Sequence, residues 1–79
     1  MKYYIIEIQK QIDGTCAHLV HTADARNQAE SIYHQVLAAA AISNVFQHAA
    51  VLLTDTGVEI MHQCYNHPQQ PAPEPEPEN

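Results

Sequence analysis

The feature that most constrains the fold of this chain is residues 24–43, the one segment with the length and periodicity of a helix. Its sequence is DARNQAESIYHQVLAAAAIS, in which apolar side chains recur every three or four residues, as in a helix that buries one side. The side chains predicted to face the core are Ala25, Ala29, Ile32, Val36 and Ala40, flanked by Tyr33 and Leu37. A capping oxygen of Thr22 or Asp24 is expected to begin the helix, and Ser43 followed by Asn44 to end it.

Four further segments have the features of strands, two before the helix and two after it. They cover residues 3–12, 15–22, 45–55 and 58–65. Asp13 and Gly14 separate the first pair, and Gly57 follows Asp55 and Thr56 in the second, as is typical of tight hairpin turns. The third strand is continuously apolar over residues 49–53, which places it inside the sheet with a neighbour on each side.

This element order predicts an α+β fold of ββαββ type, a four-stranded antiparallel sheet with one helix packed on one face. Residues 1–67 form the single predicted domain. Residues 68–79, PQQPAPEPEPEN, carry five prolines and no large apolar side chain. They are predicted to form an acidic, disordered tail that adds nothing to the core.

A domain of this size buries only roughly 60% of the surface that its unfolded chain exposes, so a second subunit, a metal or a disulfide has to add stability. The four alanines at residues 38–41 leave the second half of the helix without a polar side. One interpretation is that alanine is simply the best helix former; the other is that small side chains let a second copy approach closely. We predict a homo-oligomer with Leu37, Ala38 and Ala41 at the interface.

The face of the sheet away from the helix is a further surface that a single chain would leave in contact with water. The large apolar side chains expected to contribute to it are Tyr3, Ile5, Met61 and Tyr65.

The charge balance excludes some partners. Lys and Arg number 3 against 9 Asp and Glu, for a net charge of -6. Three scattered bases form no face for a phosphate backbone, so nucleic acid is not an expected partner, and an anionic membrane surface is disfavoured for the same reason. No stretch has the length of a membrane span or the apolar run of an export signal, and a cytoplasmic location is expected.

Cysteine and histidine alternate in two of the predicted strands, as Cys16-x-His18 and His62-x-Cys64. Side chains two residues apart on a strand point to the same side, so the four would converge with zinc-like chemistry if these strands were neighbours. The spacing differs from that of familiar zinc modules, and partly buried cysteines with solvated histidines are the ordinary alternative. No metal and no cofactor are predicted; these four residues are the candidates if one binds.

No arrangement of nucleophile, base and oxyanion loop is visible, so no catalytic residue is assigned and the chain is not expected to be an enzyme. The one candidate site for a small anionic ligand is the start of the helix, where free backbone amides and Arg26 are expected to occur together. Tyr33 and His34 complete the ligand-binding candidates. The alternative is that Asp24 caps those amides and Arg26 pairs with Glu30 one turn later.

The strand IIEIQ, the helix ending in LAAAAIS and the histidine at position 48 ahead of an apolar strand form a pattern. Over residues 3–67 it resembles a group of short proteins encoded in phages and prophages of Gram-positive gut bacteria. The resemblance carries no assigned chemistry. It implies a host-interaction or anti-defence factor in the host cytoplasm, which blocks a host protein or sequesters a nucleotide signal.

Taken together, these observations predict a small, non-catalytic binding module that forms a homo-oligomer and binds a host protein or a small anionic ligand. Two alternatives stay open. One is a small structural or assembly component of a virion, and the other is a zinc-binding module built on the cysteine and histidine pairs.

Overall fold

The computed structural model describes residues 1–68, which fold as one antiparallel sheet with a single helix on one side. The elements in chain order are β1 (Tyr3–Lys10), β2 (Cys16–Ala23), α1 (Arg26–Ile42), β3 (Gln47–Thr54) and β4 (Glu59–Asn66). The predicted ββαββ order and α+β class are confirmed. Of the predicted tail, only Pro68 lies within the described residues.

The strands are arranged in the order β2-β1-β3-β4, so β1 and β3 are the inner strands and β2 and β4 are the edges. The prediction that the third strand lies inside the sheet is confirmed. Each edge strand joins its inner neighbour through a hairpin. The turn glycines have positive φ, +96° at Gly14 and +87° at Gly57, a conformation that other residues adopt only with strain.

The helix begins later than the sequence predicts. Its N-cap is Ala25, and no side chain caps it. Thr22 is still part of β2, where it pairs with Tyr4. The Asp24 carboxylate instead lies 3.1 Å from the ammonium of Lys2. The capping prediction is therefore wrong, because the strand extends further and an ion pair takes the acidic side chain.

The core lies between α1 and the sheet and is built largely from small side chains. Its buried apolar members are Ile5, Ala23, Ala29, Tyr33, Val36, Ala40, Ala50 and Leu52. Among residues 1–68, only Ile5 and Leu52 are large and fully buried. Ala25, which was predicted to face the core, is exposed. Alanines on both the helix and the sheet bring the two layers close together, as close packing requires.

Strand register shows which face the helix covers, since directly paired residues of an antiparallel sheet share a face. Ile5 pairs with Leu52, and both are buried under the helix. Tyr3 and Met61 pack against the core on this side, and Tyr65 lies on it too, since it pairs with buried His48. The side chains expected on the far face are therefore on the helix side instead.

The opposite side of the sheet, which we call the open face, carries a continuous group of apolar side chains. It comprises Tyr4, Ile6, Ile8, Val20, Ala49, Val51 and Leu53. No helix or strand of residues 1–68 packs on it. The one helix of this part of the chain is also neither long enough nor apolar enough to cross a membrane.

Truncation of Leu52 tests how much the small core depends on its few large side chains. Leu52→Ala should lower the free energy of unfolding by about 3 kcal/mol, since the neighbouring backbone cannot close the cavity. Leu19→Ala is the control, because Leu19 is 57% exposed on the same side of the sheet. Urea denaturation measures both; equal losses would contradict the assignment of the core.

Candidate functional site

A cluster of polar side chains lies on the helix side of the sheet, near the end of α1. Its members are Glu7, Gln9, His21, Ser43 and His48. The pairing of β1 with β3 sets Gln9 opposite His48 and Glu7 opposite Ala50. Because these positions share the buried face, the sheet itself brings the carboxylate and the imidazole together.

His48 is the centre of this cluster and is 4% exposed. Its Nε2 atom lies 2.6 Å from Glu7 Oε2, and its Nδ1 atom lies 3.0 Å from Ser43 Oγ. With Glu7 ionised, Nε2–H donates to the carboxylate while Nδ1 accepts from the serine hydroxyl, whose oxygen accepts from the Val45 amide at 3.3 Å. Both nitrogens of the ring are therefore engaged within the fold.

The Glu7 carboxylate collects further contacts. Gln9 Nε2 donates to Oε2 at 3.1 Å, and His21 Nε2 lies buried 3.8 Å from Oε1, beyond hydrogen-bond distance. Partial burial of Glu7 acts to raise its pKa, but the hydrogen bonds from His48 and Gln9, together with the electrostatic influence of His48 and His21, lower the pKa below its usual value. The side chain is thus an ionised acceptor at neutral pH.

Serine, histidine and glutamate in a hydrogen-bonded row also occur in hydrolases, where the serine is the nucleophile. Here Ser43 is the residue that ends α1, and it is only five residues from His48. The hydroxyl oxygen of Ser43 accepts a hydrogen bond from the backbone amide of Val45 in the same loop. The row therefore ties the α1–β3 loop to β1.

An open cleft of about 90 Å³ adjoins the cluster, lined by Glu7, Gln9, Ala17, His18 and Leu19. Sites for organic ligands usually measure about 300–1,000 Å³. The cleft is thus large enough for water or a small ion and too small to enclose an organic molecule.

The structure does not bring the three predicted ligand-binding residues together in one site. Arg26 lies exposed at the start of the helix, with its Nε atom 2.7 Å from Glu30 Oε2, as the alternative interpretation predicted. Tyr33 is 3% exposed and belongs to the core, and burial, with a contribution from nearby Tyr65 and Glu59, raises its pKa. His34 is exposed, with its ring edge-on to Tyr33 at 5.4 Å. The three side chains line no common pocket.

The predicted interface residues lie at the outer side of α1. Ala38 and Ala41 are exposed, whereas Leu37 is half-buried and packs against the core. Ile42 is 87% exposed. We call His34, Ala38, Ala41 and Ile42 the outer helix surface. Residues 31–42 contain no Asp, Glu, Lys or Arg, so this surface carries no permanent charge.

The candidate zinc ligands occupy opposite edges of the sheet. Cys16 and His18 are on β2, while His62 and Cys64 are on β4, with both inner strands between them. The condition that the strands be neighbours is not met. Within residues 1–68 no group of three or more His, Cys, Asp and Glu is arranged to hold a metal ion. Both cysteines are exposed, and neither forms a disulfide.

Sequence reasoning missed the pairing of Glu7 with His48, which are 41 residues apart. The signal that was present is a lone carboxylate inside the apolar run YYIIEI together with a histidine next to an apolar strand. A charge on such a strand needs a partner when it is buried.

Comparison of the chain with known protein families, with curated proteins and with solved structures finds no match. Function is therefore inferred from the geometry of the chain itself.

Removing the imidazole tests the structural role of the cluster. His48→Ala should lower the free energy of unfolding by about 2 kcal/mol, because it leaves the Glu7 carboxylate partly buried without its main donor. Such a loss corresponds to a fall of roughly 10 °C in Tm for a domain of this size. His34→Ala, on the outer helix surface, is the matched control and should change Tm little; equal effects in thermal denaturation would contradict the assignment.

The lowered pKa of Glu7 predicts a specific acid sensitivity. A carboxyl whose pKa is lower in the folded than in the unfolded state stabilises the fold above the unfolded pKa and loses that contribution as pH falls through the folded value. The difference in unfolding free energy between wild type and Glu7→Gln should therefore shrink as pH falls below about 4.5. Urea titrations from pH 7 to pH 3 measure it, with Glu30→Gln as the control. A difference that stays constant over this range would refute the prediction.

Proposed function

We propose that the chain is a non-catalytic binding module that acts as a homo-oligomer. The observation that carries this proposal is that, among the described residues, more large apolar side chains are exposed than are fully buried. Two large side chains are fully buried, Ile5 and Leu52. More large apolar side chains are at least a third exposed, namely Met1, Ile8, Ile12, Leu19, Val20, Ile42 and Val58.

The magnitudes favour association. Fully burying one Val, Leu or Ile side chain contributes about 1.5–3 kcal/mol, and a small domain folds with a net stability of only about 5–15 kcal/mol. These side chains are already partly covered and association has its own entropic cost, so a contact that covers several of them gains a few kcal/mol before that cost is subtracted. Covering exposed apolar surface with a second subunit is the most direct way for a chain of this length to gain that stability.

Binding is favoured over catalysis by the state of the charged groups. A general base needs a ring nitrogen or carboxylate oxygen directed at its substrate. Both nitrogens of His48 are taken by Glu7 and Ser43. Lys2 pairs with Asp24 and Arg26 with Glu30, so the clearest ionic contacts are internal to the fold.

The outer helix surface supports a protein partner. Burying it removes no permanent charge from water, since residues 31–42 contain none, and so avoids the desolvation cost of a buried charge. In this proposal Ala38 and Ala41 contact a second copy of the chain or another protein. The resemblance to phage-encoded proteins makes that other protein a component of the host, bound by a host-interaction or anti-defence factor.

The start of α1 is the proposed contact for a small anionic ligand. Arg26 is held by Glu30 at 2.7 Å, so an anion would bind by replacing the Glu30 carboxylate on the guanidinium. The helix dipole favours negative charge at this end. The N-cap residue Ala25 has no capping side chain, although Asn27 Oδ1 accepts the Gln28 amide at 2.8 Å.

Light scattering tests the oligomer and the helix surface. Wild type should have a mass of two or more chains of 8.8 kDa. If the alanines form the contact, Ala38→Glu and Ala41→Glu should give single chains, because each places a carboxylate in an apolar interface. Ser31→Glu, exposed in the uncharged part of the same helix, is the control. Unchanged mass in both alanine variants would exclude the helix contact, and a wild-type mass of one chain would exclude the oligomer.

Native mass spectrometry of the protein taken from a cell lysate tests the binding role. It reports the number of subunits together with any bound small anion. An Arg26→Ala variant that retains the same ligand in the same amount would contradict the proposed contact at the helix start.

A further inference from the structure

The open face of the sheet has no covering layer among the described residues, and it is the larger of the two apolar surfaces. Resting on the proposed homo-oligomer, we infer that two copies of this chain pack open face against open face. The product is a four-layer particle with a helix on each outside and two sheets in the middle. This contact is distinct from the outer helix surface, which stays accessible in the particle.

The open face has the composition of an interface centre. Its apolar side chains lie side by side on adjacent strands, with Ile6 paired to both Val20 and Val51. Polar side chains of the two edge strands surround them. On this side β2 contributes Cys16, His18 and Thr22, and β4 contributes Glu59, His62, Cys64 and Asn66. An apolar centre within a polar rim is the usual anatomy of a protein interface.

The charges allow two identical faces to meet. The chain carries a net charge of -6, which opposes self-association in general. On the open face, however, the strand residues include one base, Lys10, and one carboxylate, Glu59, which is hydrogen-bonded to His62. The face is therefore close to neutral, so a second copy meets little repulsion there.

The area is sufficient for a stable dimer. Each strand has 8 residues and is about 27 Å long, and four strands spaced about 4.8 Å apart span about 19 Å. The flat area of the face is thus about 500 Å² on each copy and about 1,000 Å² on both. Protruding side chains add further accessible area to this value. Specific interfaces bury upwards of about 1,000–1,200 Å², so two faces meet this requirement when they pack fully.

A second copy fits the face better than the remainder of the chain does. Residues 69–79 contain no Val, Ile, Leu, Met, Phe, Tyr or Trp and three glutamates. A segment of that composition has nothing to bury against branched apolar side chains and would place its carboxylates on them. A copy of the open face supplies the same apolar side chains as it covers.

Two adjacent residues of β2 provide matched test variants. Val20 and Leu19 are 51% and 57% exposed, and they point to opposite faces of the same edge strand. Val20→Glu should weaken the dimer about 100-fold or more, because it buries a carboxylate opposite an apolar face. Leu19→Glu should leave the dissociation constant within about threefold of wild type. Ile8→Glu, at a position 37% exposed on β1, is the second variant on the open face.

Light scattering across a dilution series of the full chain separates the outcomes. Loss of dimer in Val20→Glu and Ile8→Glu but not in Leu19→Glu supports the inference. If the two variants keep the wild-type dimer while Ala38→Glu gives single chains, the open-face contact is overturned and the homo-oligomer stands. If wild type itself is a single chain at all concentrations, both the contact and the homo-oligomer are overturned.

Hydroxyl-radical footprinting of wild type tests the contact without a variant that has to fold. Tyr4, Ile6 and Ile8 should become protected as the concentration rises through the dissociation constant, while Leu19 and Ile42 stay reactive. Protection that is independent of concentration in a single-chain particle would show that the tail covers the face, and overturns the inference. If the open face stays reactive at every concentration, no second copy covers it. That result would also overturn the inference and would make a different protein the candidate partner of this face.

Discussion

One helix can cover only one side of a four-stranded sheet, and this constraint determines the rest of the structure. The helix is about 10 Å wide and the sheet is about 19 Å across, so even the covered side is not filled from edge to edge. Alanines at positions 29, 40 and 50 let the two layers approach closely, and Ile5 and Leu52 fill the space between them. What remains is an uncovered corner near β2 on one side and the whole open face on the other.

The polar cluster occupies the corner that the helix leaves. Glu7 lies on β1 where the helix no longer covers the sheet completely, so its carboxylate is partly buried and requires donors. His48 and Gln9 supply them, and the serine that ends α1 holds His48 from the other side. The same contacts close the loop between α1 and β3. The row of serine, histidine and glutamate thus satisfies one carboxylate at the edge of a narrow core.

Much of the fold follows from local sequence signals, and the rest depends on which strands meet. The two glycine turns and the apolar run of the third strand were enough to predict both hairpins and the inner position of β3, all confirmed. The Glu7–His48 pair requires β1 to lie beside β3, a pairing between hairpins that no turn residue specifies. The helix start was wrong because Asp24 forms an ion pair with Lys2, which is 22 positions earlier in the chain and comes close only after folding.

The side of β1 that the helix covers was also beyond sequence reasoning, because both sides of YYIIEI carry isoleucine. The covered side is the one with Glu7 and Gln9, and the side with Tyr4, Ile6 and Ile8 is open. This outcome is understandable from the helix: its inner alanines match the alanines at positions 23 and 50, whereas the branched side chains of the other face would hold it further away.

The two uncovered surfaces differ in the strength of the contacts that they can form. An alanine methyl contributes about 0.8 kcal/mol when it is buried, whereas a valine or isoleucine contributes about 1.5–3 kcal/mol. A contact through Ala38 and Ala41 alone is therefore weak, and one through the branched side chains of the open face is strong. A module with both surfaces would use the strong one for permanent assembly and keep the helix for a partner that it binds and releases. The inner alanines are explained by close packing on the sheet, whereas the outer alanines Ala38 and Ala41 are exposed, and an exchangeable partner is the role that we propose for them.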